Sequence, residues 1–195
     1  MRIVIAAAIL ALSACEPAKP AGEAAAPAAP GEAGNANPGA SSMPAPVGPT
    51  RTYEAMSKTA MSVTPGVLIM TPTQQKSENL PAGMVFAFGN GIIYETTSMP
   101  GGAAQGERPF DWTKVMIDPS GPVEASRVEM FAVDRETVPP DAPNGGLCAK
   151  TSFLATYIVR TPGAEDITIA AFQGDQWPPK DEAALCGTFT YANVH

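Results

Sequence analysis

Between residues 51 and 195 the apolar positions fall in short runs cut by proline and glycine, a spacing that predicts strands rather than long helices. Val67-Leu68-Ile69-Met70, bounded by Pro65-Gly66 and Pro72, is too short for a helix and suits a buried strand. Residues 84–88 and 92–97 flank Gly89-Asn90-Gly91, and a glycine-rich connection between β-branched and aromatic runs marks a hairpin. Trp112, Lys114 and Met116 alternate with Thr113, Val115 and Ile117, so 112–117 reads as a further strand. Beyond the Asp118-Pro119-Ser120-Gly121 turn, strands are expected at 127–133, 153–160, 167–172 and 184–191, with Pro162-Gly163 turning between two of them. Residues 99–109 and 138–146 read as loops. Tyr53, Met56, Ala60 and Val63 lie at helix-like spacing, so 53–63 fits either a short helix or an edge strand. The expected fold class is all-β, an antiparallel sandwich or small barrel of about seven or eight strands with room for one short N-terminal helix.

Composition divides the chain. Residues 16–50 hold eight prolines, eleven alanines and five glycines with no aromatic, so they cannot bury enough apolar area to offset the entropy of ordering. They are expected to form a tether whose reach runs from roughly 30 Å as a flexible coil to about 100 Å if extended. Residues 51–195, about 145 in all, suffice for one β-rich domain burying close to 70% of its unfolded surface.

Upstream of the tether stand Met1-Arg2 and an apolar run over 3–12 that is too short to span a bilayer and reads as a secretory signal. The run closes on Leu12-Ser13-Ala14-Cys15, which resembles a bacterial lipobox. That resemblance implies a signal peptide over 1–14, cleavage before Cys15, a diacylglyceryl thioether on Cys15 and a further acyl chain on its new amino group. The lipidated Cys15 would then begin a tether over 15–50. Two or three acyl chains hold a protein to a membrane stably where one does not. The expected location is the bacterial cell envelope, facing the periplasm. Glu16 is not the residue usually associated with inner-membrane retention, which leans the expectation to the outer membrane. The plan as a whole resembles the membrane-bound lysozyme-inhibitor lipoproteins, which carry a small β-barrel behind a lipobox. The likeness is one of architecture: the inhibitory segment of that family has no match here, so its activity is not carried over.

Export changes the reading of the remaining cysteines. With Cys15 lipidated, Cys148 and Cys186 are left as a pair in an oxidising compartment, where a disulfide is the simplest state; redox-active or metal-binding thiols are the alternative, and no CxxC favours them. A formal charge of −7 and a pI of about 4.7 argue against nucleic acid as a partner. His195 is the only histidine, and there is no G-x-S-x-G, S-x-x-K or H-E-x-x-H pattern, so neither a catalytic triad nor a metal or other cofactor is expected. Glu95, Glu107, Asp111, Glu124 and Glu129 are candidates for a pair of acid–base carboxylates. Phe110, Trp112 and Trp177, set among turns, are the candidate binding residues, with core packing as their competing role. The expectation is a lipid-anchored, non-enzymatic domain that binds a ligand, an envelope protein or a glycan. A carboxylate-dependent hydrolase and a purely structural lipoprotein are the alternatives.

Overall fold

Eight strands follow one another along the chain, each antiparallel to the next, and the last pairs with the first to close a barrel. They are β1 (Arg51–Ala55), β2 (Val67–Thr73), β3 (Gly83–Phe88), β4 (Ile93–Ser98), β5 (Glu129–Thr137), β6 (Phe153–Thr161), β7 (Ala164–Phe172) and β8 (Leu185–Asn193), with one short helix, α1 (Lys58–Val63). The computed structural model describes residues 46–74, 82–99, 110–177 and 182–193. The expected signal peptide over 1–14, Cys15, the expected tether up to residue 45, most of the 99–109 loop with Glu107, and His195 lie outside them. All the described residues belong to the unit Ser42–His195.

The antiparallel all-β architecture matches the sequence expectation, and of the two arrangements left open it is the barrel that forms. Closure is made by Tyr53, Glu54 and Ala55 of β1 against Asn193, Ala192 and Tyr191 of β8, which leaves no free sheet edge. The 53–63 ambiguity resolves into both elements. β1 ends at Ala55, and Ser57 then accepts a hydrogen bond from the Ala60 amide at 3.1 Å, capping α1. Gly91, at φ +87°, completes the β3–β4 hairpin in a conformation that favours glycine.

Alternation along the strands sorts the core into two bodies. The lumen holds Tyr53, Leu68, Phe86, Phe88, Tyr94, Phe131, Leu154, Ile167, Ile169, Phe189 and Tyr191, which an eight-stranded barrel has just enough width to accept. Phe86 meets Phe131 edge to face at 5.3 Å, and Phe88 lies 6.0 Å from both Tyr94 and Tyr191. The second body lies outside the wall. Met130, Ala155, Tyr157, Val159, Ala170 and Phe172 point outward from β5, β6 and β7 and are covered by Trp112, Val115, Met116 and Val128. Because both faces are buried over 154–157 and 167–172, β6 and β7 are largely apolar there, interrupted by Thr156 and Thr168.

That cover is where the structure departs from the expected strand at 112–117. Trp112–Lys114 form a 3-10 turn, begun by Asp111, whose carboxylate accepts from the Thr113 amide at 3.2 Å. Trp112, Val115 and Met116 reach the wall together at helix-like spacing, while Ile117 is 72% exposed. A local cap on the backbone outweighed the two-residue alternation.

Two register shifts carry consequences. Between Glu95 and Thr96 the partner strand skips Asp134, which brings Glu136 rather than Arg135 to the interior side beside Tyr94. Between Ala171 and Phe172 the partner skips Cys186. Freed from the ladder, Cys186 forms a disulfide with Cys148, whose Cα is 5.5 Å away. The bridge ties the β5–β6 connection to the start of β8.

One end of the barrel is plugged. Tyr94 Oη accepts from the Leu147 amide at 3.0 Å and from Thr151 Oγ1 at 3.1 Å, Tyr191 bonds Thr64 at the end of α1, and Asn90 donates to the Val63 carbonyl at 2.8 Å. The helix and the loop carrying Leu147 and Cys148 are thus hydrogen-bonded to the lumen beneath them. The 38-residue separation of Cys148 and Cys186 gives, on a chain-entropy argument, about 4 kcal/mol from the bridge. Replacing both cysteines with serine is expected to lower the unfolding free energy by about 2–4 kcal/mol in urea titrations. An unchanged midpoint would contradict a structural role for the bridge.

Candidate functional site

At the other end the lumen is not filled. Where β1 begins, β2 ends, β3 and β5 begin and β6 ends, a cavity of about 400 Å³ opens at the barrel mouth. Its walls follow from strand parity. Arg51 is two residues from buried Tyr53, Met84 two from Phe86, Glu129 two from Phe131, and Thr156, Ile158 and Arg160 continue the phase of Leu154. The mouth is therefore built from lumen-facing positions that are too polar or too far out to join the aromatic packing below. Met70, Pro72, Met84 and Ile158, with Pro49 from the segment before β1, supply its apolar surface. That leading segment is held along the rim, with the Val47 amide donating to the Pro72 carbonyl at 3.0 Å.

Three guanidiniums, those of Arg51, Arg127 and Arg160, share the cavity lining with one carboxylate, Glu129. Each arginine is positioned by a neighbour. Arg160 Nε donates to Glu165 Oε2 at 2.7 Å, and Arg51 approaches Glu165 Oε1 at 3.7 Å, beyond hydrogen-bond reach. Arg127 stands at the rim as the last residue of a 3-10 turn (Ala125–Arg127), donating to the Ile158 carbonyl at 3.0 Å. It lies 4.9 Å over the Tyr157 ring and 3.5 Å from Asp118. All three side chains keep a large share of their surface in solvent, between 43% and 61%. Thr156, by contrast, is 1% exposed, and its hydroxyl has no hydrogen-bond partner among the described residues.

Two partly buried carboxylates anchor this array. Burial opposes ionisation of Glu165, but hydrogen bonds from Tyr53 and Arg160 and the charges of Arg51 and Arg160 more than offset it, so its pKa is held below the usual range. Burial and the bond to Glu165 push the Tyr53 hydroxyl up to about 12, so it stays protonated and donates at 2.6 Å. The Ser120 hydroxyl, the Tyr157 hydroxyl and the Ser120 amide all donate to Asp118, lowering its pKa to about 2.

The sequence-predicted residues lie elsewhere. Phe110, Trp112 and Trp177 do come together, with Phe110 4.9 Å and Trp177 6.3 Å from Trp112, and Phe153 5.3 Å from Trp177. They pack on the outer wall, near the start of β6 and the end of β7, away from the mouth. Trp112 is 3% exposed and is a core residue; Trp177 is half-buried against the same body. Of the proposed acid–base carboxylates, Glu95 is paired with Arg135, Asp111 caps its turn, and Glu129 alone lines the mouth. Arg51, Thr156 and Arg160 were not singled out. The available signal was basic and hydroxyl residues in phase with apolar lumen positions, and on β6 it was hidden because both faces are apolar. No group of metal-binding side chains occurs among the described residues. Comparison with known proteins finds no matching family model and no similar curated protein or solved structure.

The depressed pKa of Asp118 makes the rim pH-sensitive. Its contribution is present above the ordinary carboxylate pKa near 4 and is lost as pH falls through about 2. Asp118→Asn is expected to lower Tm by a few degrees at pH 7, and the gap to the parent should close between pH 4 and pH 2. A gap that stays constant over that range in thermal scans would contradict the assignment.

Proposed function

We propose that this chain is a lipid-anchored, non-enzymatic binding protein of the bacterial cell envelope, and that its ligand enters the mouth of the barrel. The observation that carries the binding role is the cavity itself, a concave site of about 400 Å³ with apolar walls and a few convergent polar groups, in the range of small-ligand pockets. The lipobox-like Leu12-Ser13-Ala14-Cys15 and the Pro/Ala-rich stretch after it support anchoring at Cys15 and exposure to the periplasm. Outer-membrane placement rests on Glu16. Hydrolysis by a carboxylate pair is the weaker reading, since one carboxylate lines the cavity where such a mechanism needs two facing a substrate.

The acidic net charge favours a small ligand or an envelope component over nucleic acid. No nucleotide or metal cofactor forms part of this reading.

Two methionines make the site observable. Met70 and Met84 line the mouth, while Met116 and Met130 lie in the outer body. The mature chain, residues 15–195 carrying Cys15→Ser, can be labelled at its methionine methyl groups and titrated with lipid and aqueous extracts of bacterial envelopes. Selective movement of the Met70 and Met84 resonances is the expected result. Movement confined to Met116 and Met130 would place the binding surface on the outer aromatics and overturn the mouth as the site.

A further inference from the structure

Resting on the mouth as the binding site, we infer that its ligand is a single-chain amphipathic anion, a carboxylate or phosphate head on an alkyl tail. The walls divide in the way such a molecule does. Met70, Pro72, Met84 and Ile158 offer apolar contact with the lumen core behind them, and arginines stand around the opening. A cavity of about 400 Å³ equals the volume of roughly a dozen liquid waters, so it suits a ligand of roughly a dozen non-hydrogen atoms.

The choice of an anion follows from which groups still lack a partner. Glu165 already receives hydrogen bonds from Tyr53 and Arg160. Arg51, beside the Tyr53 hydroxyl and 3.7 Å from that carboxylate, is 43% exposed and keeps unused donors among its five at a cavity it helps to line. Arg127 spends one nitrogen on the Ile158 carbonyl, and its approach to Asp118 is a long 3.5 Å. Glu165 takes up Arg160, Asp118 faces Arg127 and Glu129 adds one more carboxylate to the lining, so Arg51 is the guanidinium left with the most unused donors. A carboxylate or phosphate finds the planar donor fork of Arg51 at the opening, a group that offers a cationic head nothing.

Thr156 is the second, independent indication. A buried hydroxyl without a partner is costly and uncommon in a folded interior. Thr156 lines the cavity, is 1% exposed and has that unpaired hydroxyl. The hydroxyl is closed to solvent in the unliganded barrel, so a ligand oxygen held by Arg51 would satisfy both groups once the Thr156 side chain turns toward the cavity. The mouth thus holds a group that is unfavourable when empty and favourable when an acceptor arrives.

Four ligands with one tail length separate the possibilities: decanoate, decyl phosphate, decanol and decyltrimethylammonium. Each is titrated below its micelle concentration into the mature chain carrying Cys15→Ser, by calorimetry and by methionine methyl spectra. The expected result is binding of decanoate or decyl phosphate at least tenfold tighter than of decanol, no measurable binding of the cation, and movement of Met70 and Met84. The stronger of the two anions identifies the head group. Arg51→Gln should weaken the anion about tenfold and leave decanol unchanged. Thr156→Val, which removes a hydroxyl that has no partner, should keep or raise Tm yet weaken the anion several-fold. If decanol or the cation binds as tightly as the anions and moves Met70 and Met84, the anionic head is wrong and the mouth stands as the site. If none of the four binds, an amphipathic ligand is excluded, and the envelope-extract titration decides the mouth separately. If the anions bind but move only Met116 and Met130, both readings fall.

Discussion

An eight-stranded barrel has a lumen about as wide as the side chains of its own strands, and everything in this protein depends on how that width is used. Below the mouth it is filled: Tyr53, Phe86, Phe131, Leu154 and Ile167 leave no passage, and Tyr94 and Tyr191 hydrogen-bond the plug at the closed end. At the open end the same inward positions carry Arg51, Glu129, Thr156 and Arg160, which cannot pack as aromatics do. The cavity is the consequence of that change of residue type along one face of each strand.

Charge is handled at the rim by distributing few carboxylates among many donors. Glu165 serves Tyr53 and Arg160 and draws Arg51 near, while Asp118 serves Ser120 and Tyr157 and faces Arg127. Such exposed pairs contribute little individually to stability. Their effect is positional: they hold three guanidiniums around one opening.

Much of the fold was legible because hairpin signals and short apolar runs depend on local chemistry. Gly89-Asn90-Gly91 and Pro162-Gly163 marked turns that the ladder confirms, and Cys148 and Cys186, the pair left over once export and lipidation of Cys15 are expected, pointed to the bridge that forms. Residues 112–117 misled because their alternation is matched by helix-like spacing, and the deciding factor was the Asp111 cap on the backbone. The site was less legible than the fold. Tryptophans attract attention as recognition residues, yet Trp112 is needed to cover the outward faces of β6 and β7. The arginines of the mouth are distant in sequence, and only barrel closure, a long-range event, brings Arg51 of β1 beside Arg160 of β6.

The most direct measurement is a crystal structure of the protein grown with a bound alkyl anion. The account predicts its head group within hydrogen-bond distance of Arg51 and the Thr156 hydroxyl, with the tail against Met70, Met84 and Ile158. A ligand found instead against Phe110 and Trp177 on the outer wall, with the mouth holding only water, would contradict it.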